Sequence, residues 1–304
     1  MDATSPLPEG ISMVIEPRSR DLGGFSVGRI LPYAKRRMVG PFIFLDEMGP
    51  AEFAPGQGID VRPHPHIGLA TVTYLFSGEI RHKDNLGFDQ VIRPGDVNWM
   101  TAGHGIVHSE RTDASTRAAG HTLHGMQSWI ALPADAERTD PSFHHHPGTT
   151  LPCITKDGAQ LHLIAGSAFG ETSPVETFSP MFYLAAQLET DAILPLPASG
   201  QERAIYVVEG TLSVNGSPLP TKRLIVLDDT DALEFRADGP CRCMVLGGAP
   251  VGERHIWWNL VASDQSLIDQ AKRDWEAATQ TGFPKAPFTL PPDEDEFIPL
   301  PDGP

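Results

Sequence analysis

The chain of 304 residues carries 39 acidic against 23 basic side chains, a formal charge of −16, with 40% apolar and 20% charged residues. An acidic surface of this kind repels phosphate backbones and anionic membranes, which argues against direct nucleic-acid or membrane binding, while the length allows one large domain or two ordinary ones. No apolar run approaches a membrane span, the N-terminus shows no signal-peptide pattern, and Cys153, Cys241 and Cys243 lack C-x-x-C spacing and read as reduced thiols, so a cytoplasmic location is expected.

In chain order, Lys35, Arg36 and Arg37 form a short basic run that reads as a solvated loop. Short β-rich runs then alternate with Gly/Pro turn signals, the punctuation of an all-β protein. Strands are expected at Thr71–Phe76, Asp89–Ile92, Val97–Met100, Gln127–Leu132, Leu161–Ala165, Phe182–Gln187, Ala204–Val208, Thr211–Val214 and Met244–Gly247. Asn215-Gly216 predicts a tight hairpin. The run Tyr74-Leu-Phe-Ser-Gly78 is echoed by Tyr206-Val-Val-Glu-Gly210, so two copies of one barrel are expected, with a boundary near 140–155. Between Ser266 and Thr279 the apolar residues Leu267, Ala271 and Trp275 recur every four positions and predict an amphipathic helix, capped by Ser263 or Ser266 and ended by Gly282-Phe283-Pro284. The Pro-rich acidic segment that follows is expected to be an extended or poorly ordered tail lying along the other lobe.

Of the twelve histidines, two pairs carry a chemical pattern. His64 and His66 are two apart in an extended segment and point to one side; His108 and Glu110 repeat that geometry. A lone H-x-H is more often a pair of loop histidines, but the two pairs meeting in one barrel would give three imidazoles and a carboxylate, a set suited to Fe, Mn, Co, Ni or Cu. His144, His145 and His146 read as a solvated loop, and His82, His121 and His124 as strand-end or packing residues. His104 either lines the mouth of the site or faces solvent, Gln127 and Trp129 are candidates to line a pocket, and Trp257-Trp258 reads as core packing.

These residues sit inside a longer set of motifs: Arg20-Asp-Leu-Gly-Gly-Phe25, Gly40-Pro-Phe-Ile-Phe-Leu-Asp46, Pro63-His-Pro-His66 leading into Thr71-Val-Thr-Tyr74, Trp99-Met-Thr-Ala-Gly103, Gly105-Ile-Val-His-Ser-Glu110, Gly125-Met-Gln-Ser-Trp129 and Trp257-Trp258-Asn259. Over most of its length the chain thereby resembles the pirin family of bicupins. The resemblance implies two cupin β-barrels with a short C-terminal helix: an N-terminal metal-binding cupin over 1–145, and a metal-free cupin with helix and acidic tail over 146–304. It implies one divalent transition metal, Fe(II) first, on His64, His66, His108 and Glu110. The family pattern departs at Ala70, where a Glu is usual, and at Ile67, where an Arg is common.

The implied activity is quercetin 2,3-dioxygenase-like, with a flavonol and O2 as substrates and Glu110 as the catalytic base. Phe76, Met100, Met126 and Trp129 are expected to wall a dry pocket. The alternative is a non-enzymatic, iron-dependent redox sensor acting through a protein partner.

Overall fold

The computed structural model describes residues 7–21, 25–285 and 287–301; Leu22, Gly23 and Gly24 of the opening motif lie outside the described residues. The fold is all-β apart from two α-helices and one 3-10 turn among the described residues, and the chain forms two compact units. One unit comprises residues 19–28, 44–148 and 251–304, the other residues 1–18, 29–43 and 149–250. The late helix and tail therefore belong with the N-terminal barrel rather than with the barrel that precedes them in sequence.

In the first of these units, one sheet runs in the order Ser142–His146, Val97–Thr101, Leu69–Ser77, His121–Ala131 and continues into Phe42–Phe53. A four-stranded sheet in the order Asp60–His66, Ile106–Arg111, Ile80–Asp84, Asp89–Ile92 forms the other wall. Side chains on a strand alternate between faces, so Thr73 and Gln127, which pair across the first sheet, share a row that points inward. Asn98 and Thr73 pair in the same row, while Met100, Thr71 and Trp129 form the next. Gly68 turns the chain from the Asp60–His66 strand into the next one: its φ is +68°, and a Cβ there would lie 2.0 Å from the Val261 carbonyl oxygen.

The late helix spans Gln265–Thr281 and buries Ile268, Ala271, Trp275 and Ala278, the face expected from the four-residue spacing. Its cap is Asp264, whose carboxylate accepts from the Ser266 N–H at 2.7 Å, in place of the expected serine. Trp275 is fully buried, ringed by Phe283, Phe288 and Phe297, and donates its indole N–H to the Ile298 carbonyl at 3.1 Å. Beyond the helix the tail is extended, as expected, and tied down: the Ile298 N–H donates to the Pro63 carbonyl at 2.8 Å, and Asn85 Nδ2 donates to the Pro287 carbonyl at 2.8 Å. Arg111 grips Glu294 through two hydrogen bonds of 2.9 and 2.7 Å, and Ser109 adds a third of 2.7 Å.

The second unit carries a sheet in the order Ile11–Ile15, Leu224–Leu227, Glu202–Glu209, Cys241–Gly248, Met181–Leu188, Ala159–Ala168, Cys153–Lys156 and a four-stranded sheet in the order Ile193–Leu194, Phe235–Ala237, Leu212–Val214, Ser217–Pro218. Its interior is apolar, packed from Phe182, Leu184, Ile205, Val207, Ile225 and Val245 among others. Asn215 and Gly216, at φ +46° and +78°, make the expected two-residue hairpin.

Each strand expected from sequence overlaps an observed one. Three elements differ. Asp60–His66 and Ile106–Arg111 are full strands rather than approaches to strands, and His144–His146 belong to an edge strand paired with Val97–Thr101, not to a free loop. The edge is held by His145 Nδ1–H, which donates to Asn98 Oδ1 at 2.8 Å. No helix of the described residues is long and apolar enough to cross a membrane.

Because Trp275 joins the helix to the tail, Trp275→Ala should cost about 3–5 kcal/mol of unfolding free energy, read by chemical denaturation.

Candidate metal centre

Two neighbouring antiparallel strands bring the site together. Asp60–His66 pairs with Ile106–Arg111 so that His64 lies opposite His108. The register slips between His108 and Glu110, a bulge that re-aims the carboxylate relative to the imidazole two residues before it. The side-chain nitrogens of His64, His66 and His108 come within 4.8 Å of one another, and the Nε2 atoms of His66 and His108 are 3.1 Å apart.

The hydrogen-bond network sets the tautomers. His64 Nδ1 donates to the Arg62 carbonyl at 2.9 Å and His66 Nδ1 to the Asn259 carbonyl at 3.0 Å, which leaves both Nε2 atoms bare. His108 reaches the same state through a longer chain. Asp84 is fully buried and accepts His82 Nε2–H at 2.9 Å, so His82 Nδ1 is an acceptor for His108 Nδ1–H at 3.3 Å. Asp84 is fixed in turn by the backbone N–H groups of Leu86 and Phe88, at 2.9 and 3.2 Å. All three imidazoles thus present an unprotonated Nε2 to one small volume. Lone pairs crowded in this way repel one another unless a cation or a proton lies between them.

Protons are disfavoured there. Burial takes His64 down to about 4, and burial together with the neighbouring imidazoles holds His66 and His108 well below the ordinary histidine value. A neutral three-imidazole cluster is the donor set of a borderline transition-metal ion. Glu110 is not part of the three-nitrogen cluster: its Oε1 accepts from Thr73 Oγ1 at 3.4 Å, and Thr73 also donates to Gln127 Oε1 at 2.8 Å. Burial raises the Glu110 pKa.

The expected pocket residues divide. Trp129 stands beside His66, ring centroids 5.1 Å apart, and is held flat against Phe44 at 3.9 Å. Gln127 and Met100 lie in the inward rows with Thr73 and Thr71. Met126 pairs with Tyr74 in a row pointing the other way, and Phe76 packs its ring on Tyr74 and His124, so neither faces the imidazoles. His104 is 39% exposed, lies 3.4 Å from Asp140, and lines a separate cavity of about 380 Å³ beside Pro287 and Phe288.

His82 packs as expected, stacking on Phe143 at 4.2 Å, but it also accepts from His108 Nδ1 at 3.3 Å, a role beyond the one expected. The pattern His82-x-Asp84 on one strand face was the available signal. Asn259 acts through its carbonyl, which any residue could supply, so its side chain gave no hint. His121 and His124 do pack as expected, on Phe53 at 4.7 Å and on Phe76 at 4.9 Å, and His124 Nε2–H also donates to Glu47 Oε1 at 2.8 Å. Ala70 is fully buried and, by alternation, points away from Thr71 and Thr73; Ile67 joins an apolar cluster with Leu260, Ile268 and Trp275. Both departures from the family pattern are therefore apolar residues in sealed positions outside the imidazole cluster.

Comparison with known proteins agrees with this architecture. The Pirin family profile matches residues 24–130 and the Pirin C-terminal cupin domain profile matches residues 183–281. A pirin-like protein of Caulobacter vibrioides is 49% identical over 295 residues, 96% of this chain and 100% of that one. A Pseudomonas aeruginosa protein provisionally named as a quercetin 2,3-dioxygenase is 42% identical over 257 residues, 84% of this chain and 80% of that one. A crystal structure titled quercetin 2,3-dioxygenase from Acinetobacter baumannii superposes with a TM-score of 0.86 at 34% identity, covering 96% of this chain and 95% of that one.

Two outcomes are expected. His82→Phe, which removes the acceptor for His108 Nδ1–H, should weaken retention of a divalent ion about 10–100-fold, while His82→Asn, which keeps an acceptor near the Nδ1 position, should lose less; dialysis against a chelator followed by metal analysis measures both. In the metal-free protein the folded pKa of His64 is depressed to about 4 from 6.5, so the unfolded chain binds protons that the native site refuses, and stability should fall as pH drops from about 6.5 to 4. Denaturation midpoints across that range would read the slope, and a flat profile would contradict neutral buried imidazoles.

Proposed function

The chain belongs to the pirin family, and on that premise we propose that it is a metal-dependent dioxygenase that opens the central ring of quercetin-type flavonols with O2. In this reading one divalent ion, Fe(II) first, is held by His64, His66, His108 and Glu110. The single observation that carries it is the convergence of three bare imidazole nitrogens, with Glu110 two residues beyond His108 on the same strand. The 34% identity to the Acinetobacter baumannii enzyme structure supports the substrate class.

When bound, the ion supplies Lewis acidity and access to dioxygen chemistry. The protein supplies the rest. Glu110 takes the proton of the flavonol's acidic hydroxyl; burial has already raised the affinity of its carboxylate for a proton, which suits a base working on a weak acid. Thr73 Oγ1 and Gln127 steer that carboxylate, because the Thr73 hydroxyl has one proton to share between Glu110 Oε1 and Gln127 Oε1. Rotation of the hydroxyl toward Gln127 frees Glu110 to join the imidazoles or accept the substrate proton. Trp129 and Met100 offer an apolar wall for the aromatic rings, and the Phe44 stack keeps Trp129 in one orientation. Water exclusion from such a chamber protects a reactive, electron-rich ring from side reactions.

A second reading, a redox sensor acting through a protein partner, draws support from the depth of the ligands: His66 and His108 are each 1% exposed, and His64 6%. One assay separates the two. The iron-loaded protein should consume quercetin and O2 and release CO, with loss of flavonol absorbance; Glu110→Gln should slow turnover at least tenfold while the metal remains bound. Unchanged absorbance with a full complement of iron would reject the dioxygenase and leave the sensor.

A further inference from the structure

Three thiols lie outside the imidazole cluster, and two of them touch. Cys241 and Cys243 open the Cys241–Gly248 strand, which runs between Glu202–Glu209 and Met181–Leu188 in the larger sheet of the second barrel. Side chains two apart on a strand share a face, and both point into the apolar interior beside Leu184, Ile205 and Val207. Their Sγ atoms are 3.5 Å apart. Cys153 is exposed and sits on a different strand.

The surroundings favour a disulfide over a metal. Among the described residues no third His, Cys, Asp or Glu atom closes on the two sulfurs as it does in the imidazole cluster. Two thiolates around a monovalent ion would leave a net negative charge in an apolar core, whereas a disulfide is uncharged. The two sulfurs are also unequal. Cys241, at the strand's first residue, keeps 6% exposure, and Cys243 has none. The Cys243 S–H donates to Cys241 Sγ and holds the Cys241 thiol below its ordinary pKa, against burial and the carboxylates of Asp238 and Glu209. Cys243 keeps its proton, pushed up by the same contact and by burial. A small oxidant thus meets an activated outer sulfur with a protonated partner behind it.

The strand has room for the bond. Residues two apart on a strand have Cα atoms about 6.6 Å apart, near the long end of the bridgeable range. The Glu202–Glu209 strand bulges between Val207 and Glu209, opposite Cys243 and Arg242, and Cys241 pairs with Leu188, the last residue of its own strand. Irregular pairing on one side and a strand end on the other give the sulfurs slack to close.

We propose that Cys241 and Cys243 are a peroxide-reactive dithiol, converted reversibly into an intrastrand disulfide. The Cys241 thiolate attacks one oxygen of hydrogen peroxide; the O–O bond breaks, and the departing hydroxide takes up the proton that the thiol released. The Cys243 sulfur then attacks the Cys241 sulfenic acid, the S–O bond breaks, and the hydroxyl leaves as water with the Cys243 proton. Two thiols lose two electrons, and one peroxide becomes two waters. A bridge stretched in this way is readily reduced by added thiol. The pair belongs to the second barrel, so the proposal stands or falls separately from flavonol cleavage.

The full-length Cys153→Ser chain, which retains only this pair of thiols, tests the assignment. It is exposed to a molar excess of hydrogen peroxide, before and after treatment with a chelator, then denatured in N-ethylmaleimide and weighed by mass spectrometry. Untreated protein should take up two maleimide groups. Oxidised protein should take up none, weigh two hydrogens less than the reduced chain, stay monomeric and regain both sites with dithiothreitol. In the same background Cys243→Ala should stop at a sulfenic acid on Cys241, trapped by dimedone, and Cys241→Ala should leave Cys243 unoxidised at the same dose. Undiminished maleimide uptake, a disulfide-joined dimer, sulfinic acid on Cys241 with Cys243 still free, or a disulfide formed only while metal is bound would each overturn the proposal.

Discussion

Three imidazole lone pairs aimed at one buried point set the terms for the N-terminal barrel. Left alone, such an arrangement is unfavourable: the nitrogens repel, and burial denies them the protons that would relieve the repulsion. The fold holds them there through the opposite edge of each ring. A backbone carbonyl fixes His64, another fixes His66, and a buried His–Asp pair fixes His108. Each of these contacts removes a rotational option that would let the ring turn its lone pair away. The cost of assembling the cluster is thereby met by folding, and a cation entering it finds donors already oriented.

The same logic explains why the helix and tail pack against this barrel. The outward faces of the two ligand strands would otherwise be free to shift. Pro63, between the histidine strand's polar start and His64, accepts from the tail at Ile298, while Ser109 and Arg111, alternating with His108 and Glu110, hold Glu294. The arginine is further from giving up its proton because of that carboxylate, and the carboxylate is held below its ordinary pKa in return, both signs of a pair that stays ionised. Asn259, which orients His66, follows directly on Trp257 and Trp258, and Trp257 packs under the Lys272 ammonium of the helix at 4.0 Å. The late segment thus reaches the imidazole cluster through His66 on one side and through the backs of the two histidine strands on the other.

Much of this was legible in the sequence for an identifiable reason. Period-two spacing in His64-x-His66 survives into structure because a strand cannot rotate its side chains independently of its neighbours, whereas between His108 and Glu110 a bulge shifts the register. The fold class was carried by turn chemistry at positions such as Asn215-Gly216, where a positive φ is required. What escaped was of another kind. The orienting carbonyls of Arg62 and Asn259 are backbone groups, silent in any residue pattern. His82 was passed over because its importance depends on registry with a strand some twenty-five residues later, where Glu110 faces it and His108 faces Asp84. Met126 and Phe76 were expected in the pocket on chemical grounds alone, and alternation puts them on the far side of the sheet from Gln127 and Thr73. The edge strand through His144–His146 was hidden because three consecutive histidines give no hydrophobic alternation to read.

The two barrels repeat one scaffold yet solve the interior differently, and the contrast clarifies both. In the N-terminal barrel the inward row Asn98–Thr73–Gln127 is polar and meets the Glu110 carboxylate through Thr73. In the other barrel the row Leu184–Val245–Ile205 is wholly apolar, and the only inward charge along that strand is Arg203, one step toward the rim. A polar row next to lone-pair donors is suited to a cation, whereas an apolar row offers one no donor atoms. The buried Arg203 instead serves the fold of the second barrel, tying its loops together through the carbonyls of Pro197, Asp228 and Thr230.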